Sequence, residues 1–261
     1  MSRLKWDQTG ERFYETGVRQ VVLYTRTGTN GAYENGVAWN GVTAINENPT
    51  GGEPTALYAD DIKYLNLVSV EEFEGSIEAY TYPDEFGVCD GSAAPVDGLS
   101  FGQQDRKEFA LCYRTAIGND TDGSEKGYKL HIVYGCLASP SDKSYETIDD
   151  SPDAITFSWD FTTTPVETTG YKPVSHVVVD STKVTASKLT SLEEELYGVD
   201  AEAFSASSTY AVGDYCTHET KTYRCTTAIT TAAAWDATKW TEVTNPGPHI
   251  VMPDGVKTIL S

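Results

Sequence analysis

The chain has 261 residues, 39% hydrophobic and 11% aromatic, which is enough apolar material for the core of one large domain or two smaller ones and excludes a disordered chain as the default reading. Nineteen Lys and Arg against thirty-nine Asp and Glu leave a formal net charge of -20, a field that repels nucleic acid and anionic membranes instead of gripping them. The opening MSRLKWDQTGERFYETG lacks the apolar run of a signal peptide, and no stretch reaches the roughly eighteen consecutive apolar residues of a membrane span. The expectation is a soluble protein made in a cytosol, without a membrane anchor. Five cysteines (Cys89, Cys112, Cys136, Cys216, Cys225) are odd in number and mostly far apart, so reduced, partly buried thiols are expected in place of a disulfide framework.

From Val18 to about Val179 β-branched and aromatic residues alternate with polar ones, broken by Gly, Pro, Asn and Asp clusters. This pattern predicts strands at Val18 to Thr25, Gly36 to Ile45, Ile62 to Val70, Gly75 to Tyr82, Lys107 to Ala116, Tyr128 to Ala138, Ile155 to Thr163 and Ser175 to Val179. Such a series makes a β-sandwich or barrel. Two connections, 46–61 and 83–105, are rich in Gly, Pro and acids and long enough to be expected as functional loops. In TKVTASKLTSLEEELYG the residues Val184, Leu189, Leu192 and Leu196 mark one helical face, and Gly198 suits the left-handed position past a helix end.

Beyond Gly198 the composition changes. Residues 201–209 read as a small-residue linker, and 210–243 as a separate short β-unit with three basic residues (Lys221, Arg224, Lys239) and four acidic ones (Asp214, Glu219, Asp236, Glu242). The acidity therefore belongs to residues 1–200. The tail, 244–261, reads either as a docking segment or as the returning end of the first domain. The predicted class is mainly β: a sandwich or barrel domain with one α-helix on its C-terminal side, plus a small all-β module.

Motifs for catalysis are sparse. The four histidines (His131, His176, His218, His249) fall in no HExxH or zinc-finger spacing, and no GxSxG elbow occurs. The reading is a protein that is not an enzyme, with no catalytic residue, cofactor or metal. GTNGAYENG (28–36) lacks the Lys-Ser/Thr ending of a phosphate loop and reads as a hairpin connection. GNDTDGSEKG (118–127) has Gly118 and Lys129 where a calcium loop needs acids, and reads as a polar turn. Adjacent acids at Asp60-Asp61, Glu71-Glu72, Asp149-Asp150 and Glu193-Glu194-Glu195 read as solvated faces.

The phrases MSRLKWDQTGERFYETGV, GVAWNGVTAI, GGEPTALYADDIKYLNL, EAYTYPDEF, GYKLHIVYG and DSPDAITFSWDFTTTPV, spread over residues 1 to about 200, resemble the major tail proteins of long non-contractile phage tails. The resemblance implies a β-sandwich virion protein, assembled in a host cytoplasm into homohexameric rings that stack into a tail tube. It implies as partners further copies of itself, the tape-measure protein, and the tail-terminator and distal tail proteins. DNA would pass through the lumen without specific binding, since an acidic wall makes none of the Lys and Arg contacts that release counterions. The stretches 46–61 and 83–105 become expected contacts between rings and subunits. Leu4, Trp6, Ile250, Val251, Ile259 and Leu260 become segments expected to order on a neighbour.

Within 210–243, Tyr210, Gly213-Asp214, Tyr223, Trp235 and Trp240 resemble the short chitin- and cellulose-binding modules of the family-5/12 type. The resemblance implies Trp235, Trp240, Tyr223 and Tyr210 as carbohydrate contacts, a host-surface glycan as partner, and an outward-facing decoration of the tube. Where that family carries a sugar-stacking aromatic pair, this chain has Thr226 and Thr227, so the same four aromatics also read as the minimal core of a very small domain. Cys216 and Cys225 flank the expected hairpin and are candidates for a disulfide staple. Two readings from other classes stay open: a soluble carbohydrate-binding adhesin with a β-scaffold domain, and a hydrolase with an appended binding module.

Overall fold

A computed structural model of the chain describes residues 3–27, 31–148 and 153–261. The large unit is built from β1 (Tyr14–Thr27), β2 (Val42–Glu47), β3 (Pro54–Ala59), β4 (Ile62–Val68), β5 (Glu74–Ala79), β6 (Phe109–Asn119), β7 (Gly123–Ala138), β8 (Phe157–Thr163) and β9 (His176–Asp180). Its main sheet is antiparallel and open, in the order Ala32–Tyr33, β1, β6, β7, β8, β5, β2, with Val37–Ala38 added on β1 and β9 on β7.

β7 is where the sheet divides. Its residues Lys129 to Val133 pair with β9, whereas Cys136 to Ala138 pair with β8. Between them Gly135 has φ 60, and a Cβ there would sit 2.3 Å from the Thr164 carbonyl oxygen, so only glycine fits the bend. The bend lets β8, β5 and β2 pack over β1, β6 and β7 as a sandwich, around Val21, Leu23, Trp39, Ile77, Phe86, Phe109, Leu111, Val133, Trp159 and Phe161.

The opposite face of β1, β6 and β7 is also covered. Val22, Tyr24, Ala110, Cys112, Leu130, Ile132 and Tyr134 pack against Leu189, Leu192 and Leu196 of α1 (Ala186–Tyr197). Burial on both faces explains why the chain reads VVLY, FALCY and LHIVYG there instead of alternating. The Arg114 guanidinium clamps the layers: it lies between the Tyr128 and Tyr197 rings at 4.3 and 4.7 Å and pairs with Glu193 at 2.8 Å.

Several sequence expectations change. Among the described residues a second α-helix joins α1: the tail forms α2 (Pro253–Leu260), opened by a proline at its first position. Ile250, Val251 and Val256 are buried in the α1 core, with Ile259 and Leu260 packed against it, so this tail is ordered on its own chain and needs no neighbour. Tyr134 Oη donates to the Val251 carbonyl at 2.8 Å, and the His249 amide donates to the Glu195 carbonyl at 2.7 Å. The supposed linker 201–209 supplies a strand, Glu202–Ala203, which pairs parallel with β10 (Tyr215–His218). β11 (Lys221–Cys225) and β12 (Trp240–Val243) complete this four-stranded sheet.

The stretches 46–61 and 83–105 hold short paired segments instead of running as uninterrupted loops. The first holds the end of β2, the pairing of Thr50–Gly51 with Glu71–Glu72, and β3. The second forms a 3-10 turn, Asp84–Val88, that seats Phe86 in the sandwich core, then a hairpin of Ala93–Val96 and Leu99–Phe101. Sequence reading missed both because Gly and Pro there serve bends between short paired segments. The polar turn after β6 is as expected, with Asn119 Oδ1 accepting from the Thr121 amide at 3.2 Å. Of the expected hairpin connection 28–36, residues 28–30 lie outside the described residues, as do the acids Asp149-Asp150, although Arg26 and Thr27 do pair with Tyr33 and Ala32.

Candidate functional site

The most conspicuous surface is an arm. Among the described residues β3 and β4 pair only with each other, from Pro54 opposite Val68 to Ala59 opposite Ile62 with a register shift between Leu57 and Tyr58, and extend the chain beyond the β2–β5 pair. Asp60 and Asp61 make the two-residue turn with φ 51 and 62, the backbone that a tight hairpin requires and that Asp tolerates. Every residue of β4 is exposed. The ribbon nevertheless carries Leu57, Tyr58, Ile62, Tyr64, Leu65, Leu67 and Val68, with Tyr58 72% and Tyr64 69% exposed. A two-stranded ribbon with both faces in solvent is marginal by itself, and such a run of exposed apolar groups is a candidate contact surface. Its two strands also leave open hydrogen-bonding edges. Leu4 and Trp6, near the N-terminus, are exposed in the same way, at 74% and 72%.

The aromatic residues of the small module converge inward. Trp240 is 6% exposed and buried with Cys216, Cys225 and Ile229; Tyr210, Tyr223, Trp235 and Phe204 are half-buried against it. Trp235 stacks on Trp240 at 5.3 Å, Phe204 on Tyr210 at 5.4 Å, and His218 closes over Trp235 at 4.0 Å. Trp240 thus has no free face for a pyranose, and the four predicted contacts form one packed cluster instead of a flat platform. Replacing Trp235 or Trp240 with Ala is expected to unfold the module, as seen by loss of its near-ultraviolet dichroism, without any change in retention on chitin or cellulose. Retention by the native chain that disappears in a folded Trp235→Ala variant would establish a sugar site.

The proposed disulfide is absent. Cys216 and Cys225 are buried free thiols, and Cys216 lies opposite Tyr223, so the two cysteines are diagonal across β10 and β11 instead of directly opposed. Burial raises the Cys216 thiol, and the Cys225 thiol donates to the Thr227 carbonyl at 3.2 Å. The other three cysteines are buried as well, with burial pushing the Cys89 and Cys112 thiols up to about 12.

A polar cluster that sequence reading did not assemble draws on four strands. Glu47 comes from β2, Tyr113 from β6, His131 from β7 and His176 from β9. Register explains the meeting: Tyr113 is paired with His131, and His131 with Val178, which places His176 diagonally beside it. Tyr113 Oη donates to Glu47 Oε1 at 2.6 Å, and His131 Nδ1 lies 3.4 Å from the same oxygen. The carboxyl is held down to about 2, chiefly by hydrogen bonding from His131, with Tyr113 adding to it against the opposing effect of burial. Burial lowers the His176 imidazole, with Glu47 pulling the other way. The 45-residue gap between the two histidines hides the site from any spacing rule.

Compared with known proteins, the chain matches no protein-family model and no curated protein. Among the described residues no helix is long and apolar enough to cross a membrane.

Proposed function

We propose that the protein is a structural virion subunit, a tail-tube protein that assembles through its apolar arm into stacked hexameric rings around a genome conduit. The observation that carries this reading is the β3–β4 ribbon: seven large apolar side chains in solvent, on two strands with open edges. A second copy of the chain supplies what the ribbon lacks, an apolar surface and strand edges, and a ring that closes on itself leaves no edge to aggregate. The exposed Leu4 and Trp6 offer a second anchor for a neighbour. The net charge of -20 fits a conduit, because six copies multiply a field that keeps a phosphate backbone from adhering to the wall. Under this reading the small module, tied to α1 by the hydrogen bond from Tyr215 Oη to Glu194 at 2.9 Å, is a decoration held by its own aromatic core.

Negative-stain microscopy of the concentrated protein tests the proposal. Stacked rings or tubes about a hundred ångströms across are expected, from six domains of ordinary size around a bore. A strict monomer at high concentration, by microscopy and by sedimentation, sinks it.

A further inference from the structure

The geometry points to a site for a divalent transition-metal ion of the zinc class, held by Glu47, His131 and His176 and joining the two layers of the sandwich. It does not depend on the assembly proposed above.

Three ligand-type atoms converge. His131 Nδ1 is 3.2 Å from His176 Nε2, Glu47 Oε1 is 3.4 Å from His131 Nδ1, and Glu47 Oε1 is 3.6 Å from His176 Nε2. Tetrahedral zinc with bonds of about 2.0–2.2 Å to nitrogen and oxygen places its ligands about 3.3–3.6 Å apart. Two of the three separations fall within that range and the third, between the two imidazoles, lies just below it, so the triangle is close to one face of that tetrahedron before any ion is added. A cation at its centre would replace the hydrogen bonding among the three atoms, and leaves a fourth position to water.

The surroundings are those of a supported site. His131 Nε2 lies 3.0 Å from Thr115 Oγ1; donation from Nε2–H to that hydroxyl leaves the Nδ1 lone pair for the ion. Tyr113 Oη, donating to Glu47 Oε1, orients the carboxylate. The Tyr113 ring stacks on His131 at 4.7 Å with 4° between planes, and Phe73 packs on His176 at 4.8 Å, so neither imidazole can swing far. His131 is buried, whereas Glu47 lies at the surface, which gives an ion a way in.

Donor chemistry sets the ion class. Two imidazoles and one carboxylate suit zinc, cobalt or nickel, whereas calcium and magnesium require mostly oxygen ligands. Because Glu47 sits on β2 and the histidines on β7 and β9, a bound ion would tie strands of both layers together.

The test uses the full-length chain without an affinity tag, stripped with a chelator and dialysed. Isothermal titration with Zn2+ is expected to saturate at one equivalent per chain, and zinc is expected to raise the melting temperature while Mg2+ leaves it unchanged. Loss of a supporting hydrogen bond alone weakens such sites by about 10- to 100-fold, so His176→Ala and Glu47→Gln should each weaken binding at least about tenfold. His249→Ala, which removes a histidine paired elsewhere with Glu195, should leave it unchanged. Co2+ should give the intense visible absorption of a four-coordinate site, lost in His176→Ala. Far-ultraviolet dichroism confirms that each variant folds. Absence of stoichiometric binding by the folded native chain overturns the proposal, as does binding unaffected in folded His176→Ala and Glu47→Gln proteins.

Discussion

Under the proposed assembly, a chain carrying both Leu57→Asp and Leu65→Asp is expected to fold as a monomer and to form no tubes. The two leucines are paired across the arm, and neither belongs to a buried core. Surface changes of this kind usually move folding stability by no more than about 0.5 kcal/mol. Assembly is another matter. If each leucine is buried by a neighbouring copy, its loss costs about 1.5–3 kcal/mol, so the pair should weaken association by roughly two to four orders of magnitude. The added carboxylates, facing an already acidic partner, act in the same direction. Sedimentation velocity and microscopy on the same sample read both halves of the prediction. Tubes of normal length from the double variant would remove the arm from the contact.

Trp159→Ala is expected to cost about 3–5 kcal/mol, a large share of the roughly 5–15 kcal/mol that holds a folded domain together. Trp159 is fully buried, with Phe86 at 5.0 Å, Tyr82 at 5.3 Å and Trp39 at 5.7 Å between ring centroids. The indole also has a polar duty. Its Nε1 donates to Asp90 Oδ1 at 3.2 Å, and Asp90 holds Lys143 at 2.7 Å and Arg106 at 3.6 Å. Removing the ring leaves a cavity and takes a donor from a mostly buried carboxylate, and both effects destabilise. Urea unfolding followed by far-ultraviolet dichroism should show the loss. Tyr145→Ala, at a residue 73% exposed, should stay within about 0.5 kcal/mol of the native chain. A loss below about 1 kcal/mol for Trp159→Ala would mean that the sandwich core is not what limits stability.

The long strands were legible because their cause is local. VVLY, FALCY and LHIVYG carry their β-branched and aromatic bias in the residues themselves, and all three lie in the central layer. Helix α1 was legible for the same reason, since Leu189, Leu192 and Leu196 repeat at helical spacing and all three are buried. Short elements were not. Thr50–Gly51 and Glu202–Ala203 are strands only because a partner lies alongside, and Pro253–Leu260 is a helix whose apolar face matters only once Tyr134 and Leu192 are there to receive it. Propensity over two to eight residues is too weak to compete with such contacts.

The sites divide along the same line. The aromatic content of the module was visible at once, yet whether Trp240 faces sugar or core depends on the pairing that puts Cys225 opposite it. Exposure of the arm was equally hidden, because Leu57 and Leu65 look like core residues until nothing is found to cover them. The meeting of Glu47, His131 and His176 rests on three strand registers and the bend at Gly135. By itself the sequence determined the charge, the β class, the main strands and α1, because each follows from side chains within a few residues of one another. Only the tertiary structure decided which apolar groups stay uncovered and which distant polar groups meet, because burial and convergence belong to pairs of segments brought together by folding.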